Sequence, residues 1–418
     1  MQETSKRLHR QSLRALDYLN FFLADVRDGV GPYLAIYLQA SRNWNPADIG
    51  IAMSAMGIAT VIAQTPAGAL VDRLRAKRLL IALAAGLVAL GCGSIILLPT
   101  FAVVISAQAL NGVAAAIFPP AVAAITLGIV GHSKLDKRIG RNESFNHAGN
   151  VAAATLAGLV GHFIAREGIF LLVGGMAIAS AIVVLRVREE DINHEWARGA
   201  EMEEAEAEGG NQAGVSGFAQ LFSDRRLAIF ALCAVLFHFA NAAMLPLVGQ
   251  ELSAGKATGA SLYMSACIIV AQLVMIPVSS WAGRLAHGGR KRIFLIAFAV
   301  LPIRGVLYTL SDNPYFLVSV QALDGIGAGI FGVLSVLVVA DLTKGTGRFN
   351  LTQAAIGTAV GIGASSSNLM TGFIVQKAGY NAGFLTLAAI AAVALATFWF
   401  AMPETTSKED WPSAAIEV

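Results

Sequence analysis

A chain of 418 residues would ordinarily divide into two or three soluble domains, but 56% of its residues are apolar and only 14% are charged. Soluble globular chains carry about 25% charged residues, and the mean hydropathy here is +0.64. Soluble dinucleotide-binding enzymes, disulfide scaffolds and disordered regulators are thereby excluded, leaving a polytopic α-helical membrane protein. The net charge of +3 implies no nucleic-acid partner, because basic residues collect in the cytoplasmic loops of membrane proteins. Cys92, Cys233 and Cys267 sit inside apolar runs without a CxxC partner, so they read as packing residues, not as a disulfide or zinc framework. The segment Met1 to Arg14 is polar and basic and has no apolar core of a cleavable signal.

A helix needs about 20 apolar residues to cross a hydrocarbon layer of roughly 30 Å. Twelve spans are predicted, at about 16–39, 46–72, 77–99, 101–131, 142–166, 168–187, 226–250, 258–285, 291–311, 314–342, 349–376 and 380–402. The N-terminal tail, the even-to-odd loops and the C-terminal tail hold 24 of the 30 lysines and arginines, whereas the odd-to-even loops hold four, Arg42, Arg166, Lys256 and Lys377. The positive-inside rule then places both termini in the cytoplasm of a bacterial-type inner (plasma) membrane.

The longest connection divides the chain into a first half, 1–187, an acidic cytoplasmic linker, 188–225, and a second half, 226–418. The centre of the linker, Glu201 to Gln212, is acidic, glycine-containing and poor in aromatics, a composition that cannot bury a core. An internal repeat supports the division. Ile105 to Phe118 aligns with Val318 to Phe331 at a shift of 213 residues, and Met53-Ser54-Ala55 echoes Met264-Ser265-Ala266. Each half carries six spans, so the halves are expected to be parallel repeats about an axis along the membrane normal. Trp44 and Asn45-Pro46-Ala47-Asp48 spell an interfacial aromatic, an N-cap and a first-turn proline ahead of the second span.

After span 2 the chain reads Gly68-Ala-Leu-Val-Asp72-Arg73-Leu-Arg75-Ala-Lys77-Arg78. This resembles the signature of the major facilitator superfamily, glycine-x-leucine-alanine-aspartate-arginine-x-glycine-arginine-lysine, with Arg75 where a second glycine is usual. Trp281-Ala-Gly283-Arg284 and Lys291-Arg292 form a weaker echo in the second half. The resemblance implies a gating role for Gly68, Asp72, Arg73, Lys77 and Arg78, with Gly68 permitting close helix approach. It also implies a pathway lined by spans 1, 4, 7 and 10. Where antiporters of the family carry an arginine in span 4, this chain has Gln108, followed by Asn111-Gly112. The span 5 run from Gly149 to Gly158 keeps the small residues of the antiporter motif without its proline.

Ionisable residues at mid-membrane are costly and belong in cavities or pairs. Asp25, Arg27 and Asp28 lie in span 1, and in a continuous helix Asp25 and Asp28 share a face, where mutual repulsion raises one carboxyl's pKa. These three, with Asp324, are the expected proton-coupling residues. Asp324 and Gln321 occupy the repeat positions of Asn111 and Gln108. Gln108, Asn111, Gln321, Phe118, His238, Asn241, Arg304 and Tyr308 are the candidate substrate-binding residues, and Tyr33 is a further aromatic of the wall. Arg304 and Asp324 read equally as a pair that holds two helices together.

No Walker loop, HExxH or nucleophile elbow is present, so no enzyme activity, cofactor or resident metal is expected. The resemblance implies a monomeric secondary transporter of a small-molecule substrate, coupled to protons and exporting an organic compound. The alternatives are a ferroportin-like divalent-metal carrier using Asp25, Asp28, His238 and Asn241, uptake of an organic anion, and a non-transporting sensor or scaffold.

Overall fold

The computed structural model describes residues 2–27, 30–131, 134–195, 197, 224–254, 259–286, 289–344 and 349–405. The described residues are helical almost throughout. In chain order the helices are α1 (Gln2–Val26), α2 (Pro32–Arg42), α3 (Pro46–Arg73), α4 (Lys77–Leu97), α5 (Phe101–Val130), α6 (Leu135–Phe163) and α7 (Glu167–Leu185). The second half supplies α8 (Arg225–Ala242), α9 (Met244–Ala254), α10 (Ala260–Leu285), α11 (Arg290–Leu307), α12 (Pro314–Leu342), α13 (Phe349–Ala378) and α14 (Tyr380–Ala401). Taking α1–α2 and α8–α9 as one span each, these account for the twelve predicted spans.

Among the described residues, eight of the spans are long and apolar enough to cross a membrane by length and composition alone. The other four fall short for visible reasons. The α1–α2 span contains Asp17, Asp25 and a break; α6 opens on Arg138, Arg141 and Glu143; α11 begins Arg290-Lys291-Arg292; and α13 is rich in serine, threonine and asparagine. Large apolar side chains such as Ile62, Leu90, Leu97 and Phe400 are mostly exposed, the pattern expected of faces turned to lipid.

Two spans differ from the continuous helices expected. The first stops at Val26 and resumes at Pro32, with Gly31 at φ 48°. Glycine tolerates that left-handed backbone, and Pro32, lacking an N–H, fits a first helical turn. The i, i+3 face proposed for Asp25 and Asp28 therefore has no continuous helix to rest on, and Asp28 itself lies outside the described residues. The seventh span breaks at Ala243, and Pro246 falls in the first turn of α9. Asn45 caps α3 as expected: its Oδ1 accepts from the Asp48 amide at 2.9 Å, and its Nδ2 donates to the Asp48 carboxylate at 2.6 Å.

The chain forms two compact units. One comprises Met1–Gly210, Gly249–Ala266 and Asn368–Gln376; the other comprises Asn211–Val248, Cys267–Ser367 and Lys377–Val418. In the first, α3 packs on α5, α4 on α5 and α7, and α1 on α6 and α7. In the second, α11 packs on α12 and α14, and α8 on α14.

Repeat-related glycines set the closest crossings in each. A Cβ on Gly112 would lie 2.2 Å from the Met56 carbonyl oxygen, and one on Gly325 would lie 2.4 Å from that of Ala271. Gly149 meets the Phe21 carbonyl at 2.1 Å and Gly363 that of Val235 at 2.3 Å on the same construction. In lipid, where no hydrophobic force drives helices together, such backbone contact supplies the packing. Gly149→Val should therefore force α6 off α1 and cost about 2–3 kcal/mol. Unfolding in mixed micelles measures this, and stability equal to the unsubstituted protein would show that the crossing is slack.

The connection after α7 is folded at its start. A short 3-10 turn spans Glu189–Asp191, Ile192 and Ala197 are buried, and the Asn193 amide donates to the Gly128 carbonyl at 2.8 Å. The acidic stretch from Glu201 to Gln212 lies outside the described residues.

Candidate functional site

In the second unit, α8, α11 and α12 bring five of the sequence-predicted residues into one network. Arg304 is 1% exposed, and an arginine at that depth needs partners for its donors. Its Nη1 donates to Asn241 Oδ1 at 2.5 Å and to Asp324 Oδ1 at 2.6 Å. Its Nη2 donates to Gln321 Oε1 at 2.8 Å and its Nε to Tyr308 Oη at 3.2 Å. Tyr308 in turn donates to Gln321 Oε1 at 2.5 Å. Gln321 is fully buried, and its amide nitrogen has no acceptor among the described residues.

One turn before Asn241 on α8 stands His238, whose Nδ1 lies 3.0 Å from the Ala234 carbonyl oxygen. Its ring meets that of Phe331 edge-on at 4.6 Å. Phe331 is two turns along α12 from Asp324, so α8 and α12 meet in two rungs, Asn241 with Asp324 through Arg304, and His238 with Phe331. Phe237, Phe294, Phe298 and Phe398 fill the apolar side of this seam.

The first unit carries the repeat-related positions without the charge. Asn111 and Gln108 are both buried on α5, and the Asn111 amide reaches Gln108 Oε1 only at 3.4 Å. Where Arg304 stands twenty residues before Asp324, Gly91 stands twenty before Asn111, and a Cβ there would lie 2.7 Å from Asn111 Oδ1. Gly91 thus leaves the room that Asn111 occupies, a partner that the sequence reading missed. Phe118 is fully buried within the first unit. Asp25 and Arg27 are partly buried at the end of α1.

The residues of the signature between α3 and α4 play different parts. Lys77 is 1% exposed, and its Nζ donates to the carbonyls of Val71 at 2.6 Å and Leu74 at 3.0 Å, closing the C-terminus of α3. Arg78 donates to Glu189 at 2.6 Å and to the Val187 carbonyl at 2.5 Å, tying α4 to the turn after α7. Asp72 and Arg73 are exposed. Nothing lies within 4 Å of a Cβ built on Gly68, so the close approach expected there is not made in this conformation.

A second ionic cluster went unnoticed in the sequence. Asp17 on α1 is 4% exposed, accepts two bonds from Arg141 at 2.9 and 2.7 Å, and pairs with Arg138 at 2.9 Å. The signal was present as a carboxylate inside a span and an arginine pair three apart.

The first unit also includes two segments of the second half. Gly50 and Gly372 cross with backbone contact, a Cβ on Gly372 falling 3.0 Å from Gly50 Cα. Gln376 Oε1 accepts from the Ala47 amide at 3.1 Å, and the hydroxyls of Tyr33 and Ser265 lie 2.7 Å apart. Near these contacts is a cavity of about 710 Å³, lined by polar groups that include Gln39, Asn43, His162, Arg166 and Ser253. None of the sequence-predicted site residues lines it. Among the described residues no group of three or more His, Cys, Asp or Glu side chains converges as a metal site would require.

Helices of this length, broken in the first and seventh spans and duplicated around repeat glycines, define a polytopic helical membrane fold built from two repeats. The family profile of the Major Facilitator Superfamily matches residues 16–303 and 277–417. The chain is 50% identical over 400 residues to uncharacterized MFS-type transporters from two strains of Mycobacterium tuberculosis, CDC 1551 and H37Rv, covering 95% of this chain and 94% of each relative. Its fold is similar to that of a mutant of the nucleoside transporter NupG, with a TM-score of 0.78 at 16% identity over 93% of this chain and 99% of that one. It is likewise similar to the xylose transporter XylE from E. coli, with a TM-score of 0.71 at 10% identity over 95% and 97% of the two chains. The chain belongs to the major facilitator superfamily.

Proposed function

We propose that this protein is a secondary active transporter that moves a small organic solute by alternating access, coupled to protons and working as an exporter. The observation that carries the reading is the pairing of a partly buried carboxylate, Asp25, at the break of the first span with a separate buried polar network around Arg304. One supplies a group able to take up and release a proton inside the membrane; the other supplies groups for a solute. The contacts of Gly50 with Gly372 and of Tyr33 with Ser265 join segments of the two sequence halves within the first unit, in keeping with an alternating-access cycle. Similarity to a protein titled a D-xylose–proton symporter is in keeping with proton coupling.

Reconstitution into proteoliposomes with an imposed pH gradient, screened for accumulation of small organic solutes, tests the proposal. Gradient-dependent flux is expected. Binding of a solute with no flux under any gradient would instead favour a sensor.

The basic-residue distribution further supports a plasma-membrane protein with both termini and the Glu201–Gln212 linker in the cytoplasm. A single cysteine placed in that linker, in a background lacking Cys92, Cys233 and Cys267, should resist a membrane-impermeant maleimide in intact cells and react after lysis. Labelling in intact cells would reverse the topology.

A further inference from the structure

Resting on the reading of the α8–α12 seam as the solute site, we infer that the solute it selects is an uncharged, hydroxyl-rich molecule, and that Arg304 is a positioning residue rather than a hook for an anion. Four N–H donors of Arg304 are already spent on Asn241, Asp324, Gln321 and Tyr308, and the side chain is 1% exposed. A carboxylate or phosphate arriving at this seam finds no open guanidinium, and the donor left on Gln321 is sealed inside with it.

What the seam presents instead is a set of neutral or compensated groups. Asp324 spends Oδ1 on Arg304, its side chain keeps 18% exposure, and Oδ2 remains as an acceptor. The bond from His238 to the Ala234 carbonyl at 3.0 Å requires the proton on Nδ1, since a carbonyl can only accept. In the neutral ring Nε2 then carries the lone pair, and His238 offers a second acceptor. Asn241 uses its oxygen for Arg304 and keeps its NH2 as a donor, and both His238 and Asn241 are partly exposed.

Two acceptors and one donor, on adjacent turns of two facing helices, suit hydroxyl groups that both give and take hydrogen bonds. A cation is disfavoured as well, because the carboxylate it would approach already has Arg304 at 2.6 Å. The pair is electrically balanced, and an added positive charge would meet attraction and repulsion from nearly the same place.

The test uses the full-length protein in nanodiscs and two sets of probes matched in shape but not in charge. The first is D-glucose, glucosamine and glucuronate; the second is adenosine and adenosine 5′-monophosphate. Thermal stabilisation and equilibrium binding are read for each. The neutral member of at least one set is expected to bind about tenfold or more tightly than its charged counterparts, and Asp324→Asn to weaken that binding by about tenfold while preserving side-chain size. His238→Phe, which keeps a ring against Phe331 but removes Nε2, should weaken it in the same sense.

Preference for a charged member, or no binding of any neutral member, overturns the inference. So does neutral binding unaffected by both substitutions. The transporter reading is judged separately in proteoliposomes: flux of an anion or a cation refutes the solute class proposed here and leaves transport standing, whereas neutral binding without flux does the reverse.

Discussion

Replacing Asp25 with asparagine should abolish solute accumulation driven by a pH gradient, reducing it to the level of empty vesicles, while equilibrium exchange of the same solute largely survives. Asp25 lies one residue from the end of α1, where the span is interrupted before Pro32, and it is only partly buried. A carboxylate inside the membrane is costly when ionised and cheap when protonated, so a change in its exposure during the cycle changes its hold on a proton. Asparagine copies the shape and hydrogen-bonding reach of the acid but cannot bind a proton. Exchange needs only the solute site and the rocking motion, so it should persist. The measurement is paired: accumulation under an imposed gradient and counterflow without one. Full gradient-driven accumulation by Asp25→Asn would make the residue structural and move the search for the coupling group to Asp28 or Asp324.

The second large effect is on stability. Arg304→Ala should destabilise the protein by about 3–5 kcal/mol, the range for removing one partner of a buried pair. The loss leaves Asp324 and Asn241 without the donor that now satisfies them, takes the Nε donor from Tyr308, and leaves Gln321 Oε1 with Tyr308 alone. The double change Arg304→Met with Asp324→Leu should recover much of that stability, because apolar replacements of similar volume remove the unpaired charge along with the pair. Reversible unfolding in mixed micelles reads both. If the single substitution costs less than about 1 kcal/mol, the network is solvated in the folded protein and is no structural centre.

The span count, the repeat and the matching positions of Asn111 and Asp324 were legible because they rest on composition and on a constant spacing. The glycines that follow those two residues were legible as a repeated letter, but not as the contacts that press α5 on α3 and α12 on α10. Pairings across distant segments were harder to read. Nothing local to Arg304 says that four other side chains share it, and Gly91 acquires meaning only once Asn111 is seen beside it. The break after Val26 had its signals in Gly29, Gly31 and Pro32, but an apolar run read with a fixed 20-residue ruler smooths over such breaks. The same ruler hid Asp17, whose partners Arg138 and Arg141 lie beyond the apolar part of α6. The folded start of the connection after α7 was hidden for a different reason: its acidic composition reads as solvated, and its order comes from specific bonds to Arg78, Ser12 and Gly128.

Glu404 accepts from the backbone amides of Arg290 and Lys291 at 2.8 and 3.1 Å, capping α11 from 114 residues downstream. At roughly 5–20 residues synthesised per second, the start of α11 waits on the order of ten seconds for its cap. Arg78 waits about as long for Glu189, 111 residues later. Each half of the molecule therefore completes its own closure on a clock set by the ribosome, the first before the second has begun to emerge. A fusion joined after Thr405 keeps the last of these closures, and one joined at Met402 leaves α11 waiting indefinitely.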